Sequence, residues 1–265
     1  TQVFTLSNTG SASASGCSAP SVADTTNFTI TADTCGTSDL IALTGSCTVT
    51  VKGNPTTAGA HATTLSRTCS FGGTASTTTN QIIVTGVQAA LAWTPLTPAF
   101  GSIHVGSSST NTTFTLTNSG GASATGCSAP TISDSTNFTL SSDTCGPSDL
   151  AGSSATCTIN VKANPTTAGA KTATLSRTCT FGGTATTTTN QITVTGVQAS
   201  LAWTPLTHDF SNINVGSSSA NQTFTLTNSG GASATGCSAP TISDSTNFTL
   251  SSDGCGTADL AGGSK

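Results

Sequence analysis

Glutamate, methionine and tyrosine are absent from the 265 residues, and charged side chains make up only 6% of them. Straight-chain residues such as Glu and Met lose little side-chain entropy in a helix, so their absence argues against a helix-rich fold. Thr, Ser, Gly and Val are abundant instead, and these residues suit pleated strands that tight turns connect. The composition therefore predicts an all-β protein.

Basic residues are also scarce. Six Lys and Arg cannot form the positive surface that a phosphate backbone requires, so we expect no nucleic-acid partner. No apolar run reaches the roughly 18 residues that a membrane helix needs, so we expect no membrane span. The formal charge of −4 leaves little repulsion between copies, and such a surface tolerates self-association.

An internal repeat organises the chain. The stretch from Thr113 to Asp143 recurs without change from Thr223 to Asp253, a shift of 110 residues. A repeat unit begins at Leu91 and again at Leu201, which indicates a window on a longer series of modules. We predict three modules: residues 1–90, which lack the first strand; the complete module 91–200; and residues 201–265, the N-terminal part of a third module.

Short alternating runs in the complete module predict a two-sheet, immunoglobulin-like β-sandwich. Apolar side chains occupy every second position, as in Phe114 and Leu116, while threonines occupy the positions between them. Seven strands are predicted, at residues 100–105, 112–118, 122–132, 137–141, 157–162, 171–179 and 191–197.

The ten cysteines follow the same repeat, with four in each complete set. No Cys-x-x-Cys motif is present and no His recurs near them, so zinc is not expected. The pattern instead predicts two disulfides per module and an oxidising, extracellular compartment. Cys237 and Cys255 belong to the third module, and their expected partners would follow residue 265.

Three connectivities are possible for four cysteines, and we favour one of them. One bond would bracket a turn-rich loop, and the other would join the third and sixth strands, which are neighbours in a sandwich of this type. The favoured pairs are Cys145–Cys157 with Cys127–Cys179, and likewise Cys35–Cys47 with Cys17–Cys69. The main alternative joins Cys127 to Cys145. If a disulfide acts through chain entropy, each bond contributes about 3–4 kcal/mol.

Several motifs in order carry a family resemblance: Phe100 to Ser102, Val105 to Ser109, Phe114 to Gly120, Cys157 to Val161, and Asn164 to Gly169. This order resembles the bacterial choice-of-anchor D repeat, part of the wider ASH/MSP/hydin-type group of immunoglobulin-like modules. The resemblance implies a secreted or cell-surface bacterial protein with a structural role. It also supports the pairing of Cys145 with Cys157, because the family often carries a cysteine pair around that loop. Cys127 and Cys179 depart from the family pattern.

No set of residues with catalytic chemistry keeps its place in the repeat. His61, His104 and His208 occupy three different phases, and no Ser-His-Asp set recurs. We therefore expect no enzyme, no catalytic residue, no metal and no cofactor. Trp93 and Trp203 open their modules, and we predict that they pack at module junctions.

Glycans are possible partners. Five Asn-x-Ser/Thr sequons occur, and Ser/Thr clusters span residues 74–79 and 184–189. The sequons are at Asn27, Asn111, Asn137, Asn221 and Asn247.

These observations predict a structural protein that forms an extracellular fibre or a cell-surface stalk. Near-identical modules would extend it head to tail, either as further copies in one chain or by self-association. The alternative is an adhesin or a carbohydrate-binding surface protein whose active tip lies outside this segment.

Overall fold

The computed structural model describes residues 1–264, and this range contains strands but no helix. The described chain divides into two compact units. The first comprises residues 1–90 and 119–123, and the second comprises the rest of the described chain. The all-β class predicted from composition and the immunoglobulin-like sandwich predicted from the alternating runs are confirmed, whereas the module boundaries at residues 91 and 201 stay predictions. Within residues 1–264 there is no helix with the length and apolar character needed to cross a bilayer.

The first unit has two sheets of three strands each. Its strands are β1 (Gln2–Ser7), β2 (Ser21–Val22), β3 (Phe28–Asp33), β4 (Ser46–Gly53), β5 (Gly59–Phe71) and β6 (Thr74–Gly86). One sheet has the order β1-β4-β3 and the other the order β2-β5-β6. All pairings are antiparallel.

The second unit begins with two sheets of four strands each. Its strands are β7 (Leu91–Thr94), β8 (Ala99–His104), β9 (Thr112–Asn118), β10 (Thr131–Ile132), β11 (Phe138–Asp143), β12 (Ala155–Ala163), β13 (Gly169–Phe181) and β14 (Thr184–Val197). One sheet has the order β11-β12-β9-β7 and the other β10-β13-β14-β8. β8 runs parallel to β14, and the other pairings are antiparallel.

The core of the second unit lies between these two sheets. Alternation places one set of side chains inward on each strand, and the innermost are fully buried. They are Phe114, Leu116, Phe138, Ile159, Val161, Leu175 and Ile192. In the first unit, Phe4 and Leu6 stand at the positions of Phe114 and Leu116 and are only half-buried.

Two more short strands follow in the second unit, β15 (Leu201–Thr204) and β16 (Thr225–Asn228). They pair antiparallel, with Trp203 opposite Leu226. β7 pairs with β9 in the corresponding register, with Trp93 opposite Leu116.

The observed strands differ most from the predicted ones in three places, one of which is β14, which begins at Thr184 and not at residue 191. β7 was not predicted, because four residues are too few to display an alternating pattern. The long third strand predicted at residues 122–132 is reduced to isolated bridges at Ala124 and Thr125 and to the two residues of β10. A turn at Gly126, which has a φ of 55°, interrupts the pairing between them.

Candidate functional site: a disulfide and arginine brace, and a glycine joint

Disulfides connect the loops of each sandwich to its long strands. The structure joins Cys127 to Cys179 and Cys145 to Cys157, partners that are 52 and 12 positions apart in the sequence. Cys17–Cys69 and Cys35–Cys47 repeat both separations in the first unit. These are the pairs that the spacing favours. Among the described residues, Cys237 and Cys255 are unpaired.

A buried arginine lies beside the two bonds. Arg177 on β13 is 1% exposed, and its Nη1 donates to the Sγ of Cys157 at 3.5 Å. Its Nε donates to the carbonyl oxygen of Ser128 at 3.0 Å. Nη2 donates to three carbonyl oxygens of the short loop that the Cys145–Cys157 bond closes, namely those of Cys145, Gly146 and Ser148. One guanidinium thus fastens two loops to the sheet.

Arg67 forms the same contacts in the first unit. It donates to Cys47 Sγ and to the carbonyl oxygens of Ser18, Cys35, Gly36 and Ser38. We call each arginine with its two disulfides a brace. Neither arginine was predicted as a site residue, although the sequence contains a signal. Arg67 and Arg177 are the only two arginines of the chain, and both lie in Leu-Ser-Arg-Thr-Cys.

Two aspartates organise the loops around the brace. The Oδ1 of Asp143 accepts hydrogen bonds from the amides of Cys145 and Gly146, at 2.6 and 3.0 Å. The Oδ1 of Asp149 accepts one from the amide of Gly126 at 2.8 Å. Burial lowers the pKa of the Arg177 guanidinium from its ordinary value, while the negative charges of Asp143 and Asp149 act to raise it. The aspartates therefore form turns and favour the charged arginine.

Trp93 lies inside its own sandwich. It is 1% exposed, and its Nε1 donates to the carbonyl oxygen of Thr188, on β14 of the opposite sheet, at 3.3 Å. This placement corrects the predicted role at a module junction, because the ring fills the space between the two sheets of one sandwich. Trp203 begins the third repeat and is 39% exposed.

A pair of glycines forms the joint between the second and third repeats, within the second unit. A Cβ at Gly230 would clash with the carbonyl oxygen of Gln198 and with the amide of Ser200. The amide of Ser200 donates to the Oδ1 of Asn228 at 3.0 Å, and the amide of Ser229 donates to the carbonyl oxygen of Ser200 at 2.9 Å. The linker is thus held by the next repeat through its backbone. We call this contact the glycine joint.

The same arrangement occurs in the first unit. There a Cβ at Gly120 would clash with the carbonyl oxygen of Gln88, and the amide of Ser119 donates to the carbonyl oxygen of Ala90 at 2.9 Å. Close backbone approach therefore explains why the repeat carries glycine at this position.

The three histidines lie apart in different surroundings. Nε2 of His61 is 3.0 Å from the carbonyl oxygen of Thr57, and the ring of His208 packs edge-on against Phe210. Residues 1–264 contain no cluster of three or more His, Cys, Asp or Glu that could hold a metal.

Four of the five sequon asparagines make side-chain hydrogen bonds, and two of them, Asn27 and Asn137, connect two loops. Nδ2 of Asn137 donates to Asp134 at 2.8 Å, and its Oδ1 accepts from the amide of Thr166 at 3.0 Å. Asn27 makes the same two contacts with Asp24 and Thr56. A glycan on either amide would occupy Nδ2, the atom that donates to the aspartate.

Comparison with known proteins gives structural likenesses only. No family model matches the chain, and no curated protein matches it. The solved structures that match include the VesB protease of Vibrio cholerae, at 17% identity and a TM-score of 0.33, over 40% of this chain and 31% of the protease. The ASH/PapD-like domain 7 of human CEP192 matches at 13% identity and a TM-score of 0.31, over 42% of this chain and 87% of that domain. Domains 4 and 5 of the S-layer protein SbsC match at 15% identity and a TM-score of 0.27, over 68% of this chain and 71% of that one.

The protease among these neighbours contradicts one expectation. We predicted from the sequence that the chain is not an enzyme, and that prediction is wrong, because a protease is among the solved structures it resembles. The chain spans about a third of that protease, and a likeness at 17% identity concerns the fold alone. No catalytic residue of this chain is assigned from it.

Proposed function

We propose that this chain serves as a spacer in an extracellular stalk or fibre, in which repeated sandwiches carry tension along the polypeptide. The brace is the observation that carries the proposal. One buried guanidinium bonds the loop that the shorter disulfide closes and the carbonyl oxygen next to the first cysteine of the longer one, and the arrangement occurs at the same repeat position in both units. Disulfides persist in oxidising compartments, which supports a location outside the cytosol.

The arrangement of the two disulfides in each sandwich suits a protein under mechanical tension. The Cys145–Cys157 bond lies within the loop that Cys127–Cys179 closes, so one outer bond shields the whole segment between its partners. If a pulling force unfolds the sandwich, the disulfide keeps the segment between its two cysteines from being extended. The glycine joint supports the same role, because two hydrogen bonds fix the backbone of the linker, one from the amide of Ser229 and one to the buried side chain of Asn228.

Single-molecule stretching tests this function. A fully extended chain spans about 3.4 Å per residue, so a disulfide between cysteines 52 positions apart removes about 180 Å from the extension of each sandwich. We expect the oxidised protein to lengthen by about that much less per sandwich than the reduced protein, and to unfold at a higher force. The matched control is Cys127→Ala/Cys179→Ala, in which the second sandwich should keep only the difference from the 12 positions that Cys145–Cys157 spans, while the first sandwich keeps its full difference. Equal extensions with and without reductant would contradict the load-bearing role.

A further inference from the structure

The two disulfides of the second unit lie in different electrostatic surroundings. The Sγ of Cys157 accepts a hydrogen bond from Nη1 of Arg177 at 3.5 Å, and both side chains are buried. In the other bond, the Sγ of Cys127 lies 3.5 Å from the carbonyl oxygen of Ala124. A neighbouring positive charge favours a thiolate, whereas the negative end of a carbonyl dipole disfavours one. The surroundings therefore favour reduction of the bond between Cys145 and Cys157.

The same difference occurs in the first unit. Nη1 of Arg67 donates to the Sγ of Cys47 at 3.5 Å. The Sγ of Cys17, in the longer disulfide, lies 3.8 Å from the carbonyl oxygen of Ala14. The contact between guanidinium and sulfur thus belongs to the repeat and not to one copy of it.

The two cysteines of the shorter bond differ in how the fold holds them. Cys157 lies within β12, where it pairs with Leu116 of β9. Cys145 follows the end of β11 and begins a segment, residues 145–154, that contains no strand. Cys145 is 2% exposed, so a nucleophile reaches its sulfur only when this segment opens. Such a local opening costs less free energy than unfolding of the sandwich.

Two contacts of Arg177 do not depend on this segment. Nη2 bonds the carbonyl oxygen of Cys145, but Nε donates to the carbonyl oxygen of Ser128 at 3.0 Å. Nη1 donates to Cys157 on its strand. An arginine side chain stays protonated in proteins, so its charge is present when the segment opens. The guanidinium is therefore placed beside the sulfur that would carry a negative charge.

We propose that the Cys145–Cys157 bond is a site of thiol–disulfide exchange, in which Cys157 is the leaving group and Arg177 stabilises its thiolate. A thiolate of an external dithiol attacks the Sγ of Cys145, the bond between the protein sulfurs breaks, and its electron pair goes to Cys157. The second thiol of the dithiol then attacks the mixed disulfide and releases Cys145. The protein disulfide is reduced and the dithiol is oxidised to its own disulfide. Of the two protons that the dithiol loses, one ends on Cys145 and the other enters the solvent, because Cys157 stays ionised.

This exchange is independent of the load-bearing role proposed above. The Cys145–Cys157 bond lies within the loop that Cys127–Cys179 closes. Reduction of the inner bond alone therefore leaves the extension of a sandwich under tension unchanged. It makes Cys145 available for a mixed disulfide with another thiol.

The reduction rates of two variants test the proposal. Arg177→Met and Arg177→Lys both lack the planar fork that bonds the loop, but lysine keeps a positive charge near Cys157. Each is made in the whole chain together with Cys237→Ser and Cys255→Ser, which leaves only the paired cysteines. The proteins are treated with dithiothreitol, quenched by alkylation and mapped by mass spectrometry.

We expect the Cys145–Cys157 bond to be reduced about three- to tenfold faster in Arg177→Lys than in Arg177→Met, because a thiol of lower pKa leaves faster. The Cys35–Cys47 bond lies beside the unaltered Arg67 in the same molecules and should be reduced at one rate in both variants. If the arginine only holds the loop, the two variants lose the same contacts. Equal reduction rates of Cys145–Cys157 would then be observed, and they would overturn the proposal.

The acidity of the leaving thiol gives a second measurement, which does not depend on opening of the loop. In the same background, Cys145→Ser leaves Cys157 as a thiol beside Arg177, and the further change Arg177→Met removes the charge. We expect the pKa of the Cys157 thiol to lie below that of an ordinary cysteine in the first variant. In the second it should lie above, because burial then acts alone. Ultraviolet absorbance of the thiolate over a pH titration measures both, and an equal pKa in the two variants would also overturn the proposal.

Discussion

The replacement Arg177→Met is the sharpest test of the brace. Methionine keeps most of the apolar stem of arginine but cannot donate, so four carbonyl oxygens and one sulfur lose a partner. The carbonyl oxygen of Cys145 is buried, and leaving it unsatisfied costs about 1–3 kcal/mol. The other carbonyls are partly buried, so water replaces some of their lost bonds. We therefore expect the free energy of unfolding to fall by about 3 kcal/mol.

Differential scanning calorimetry of the whole chain measures this effect. A loss of about 3 kcal/mol should lower the melting temperature of the affected transition by about 10–15 °C. Arg67→Met makes the same change in the first unit and assigns each transition to its unit. Arg177→Lys should not restore stability, because an ammonium group lacks the planar fork that reaches several acceptors.

A control separates the hydrogen-bond network from the charge. Lys162→Met removes one positive charge from a half-buried side chain on β12 without touching the brace. We expect this variant to lose less than about 1 kcal/mol. If Arg177→Met were no more destabilised than Lys162→Met, the brace would not be a source of stability.

Two other predictions concern the joint and the loops. Gly230→Ala should abolish the hydrogen-exchange protection of the Ser200 and Ser229 amides. The control is Gly254→Ala, where a Cβ would meet nothing within 4 Å, and it should leave this protection unchanged. Equal protection in the two variants would contradict the role of Gly230 in the glycine joint. A hydrogen bond from the side chain of Asn137 lowers the pKa of Asp134 below its ordinary value of 3.8. The ionised Asp134 carboxylate therefore contributes its full stabilisation above pH 3.8, and this stabilisation is lost as the pH falls through the lowered pKa. Asp134→Asn should therefore unfold with less pH dependence in this acid range, as urea titrations would measure, and an unaltered pH dependence would contradict the assignment.

Strand positions could be predicted where side chains alternate. The strand predicted at residues 112–118 matches β9, because Phe114 and Leu116 alternate with threonines that face the other way. The cysteine pairs also followed from the sequence, since a fixed spacing leaves few connectivities and one of them joins neighbouring strands. These features depend on local periodicity and on spacing, which a sequence displays directly.

Other features depended on contacts between distant parts of the chain. The sequence by itself placed Trp93 at the start of a module, but only the tertiary structure put its ring between two sheets, against a residue 95 positions away. The brace has the same origin, because Arg177 reaches carbonyls that lie 29 to 49 positions from it. Periodicity in the sequence determined which residues point inward, and packing between the sheets decided which neighbours they meet.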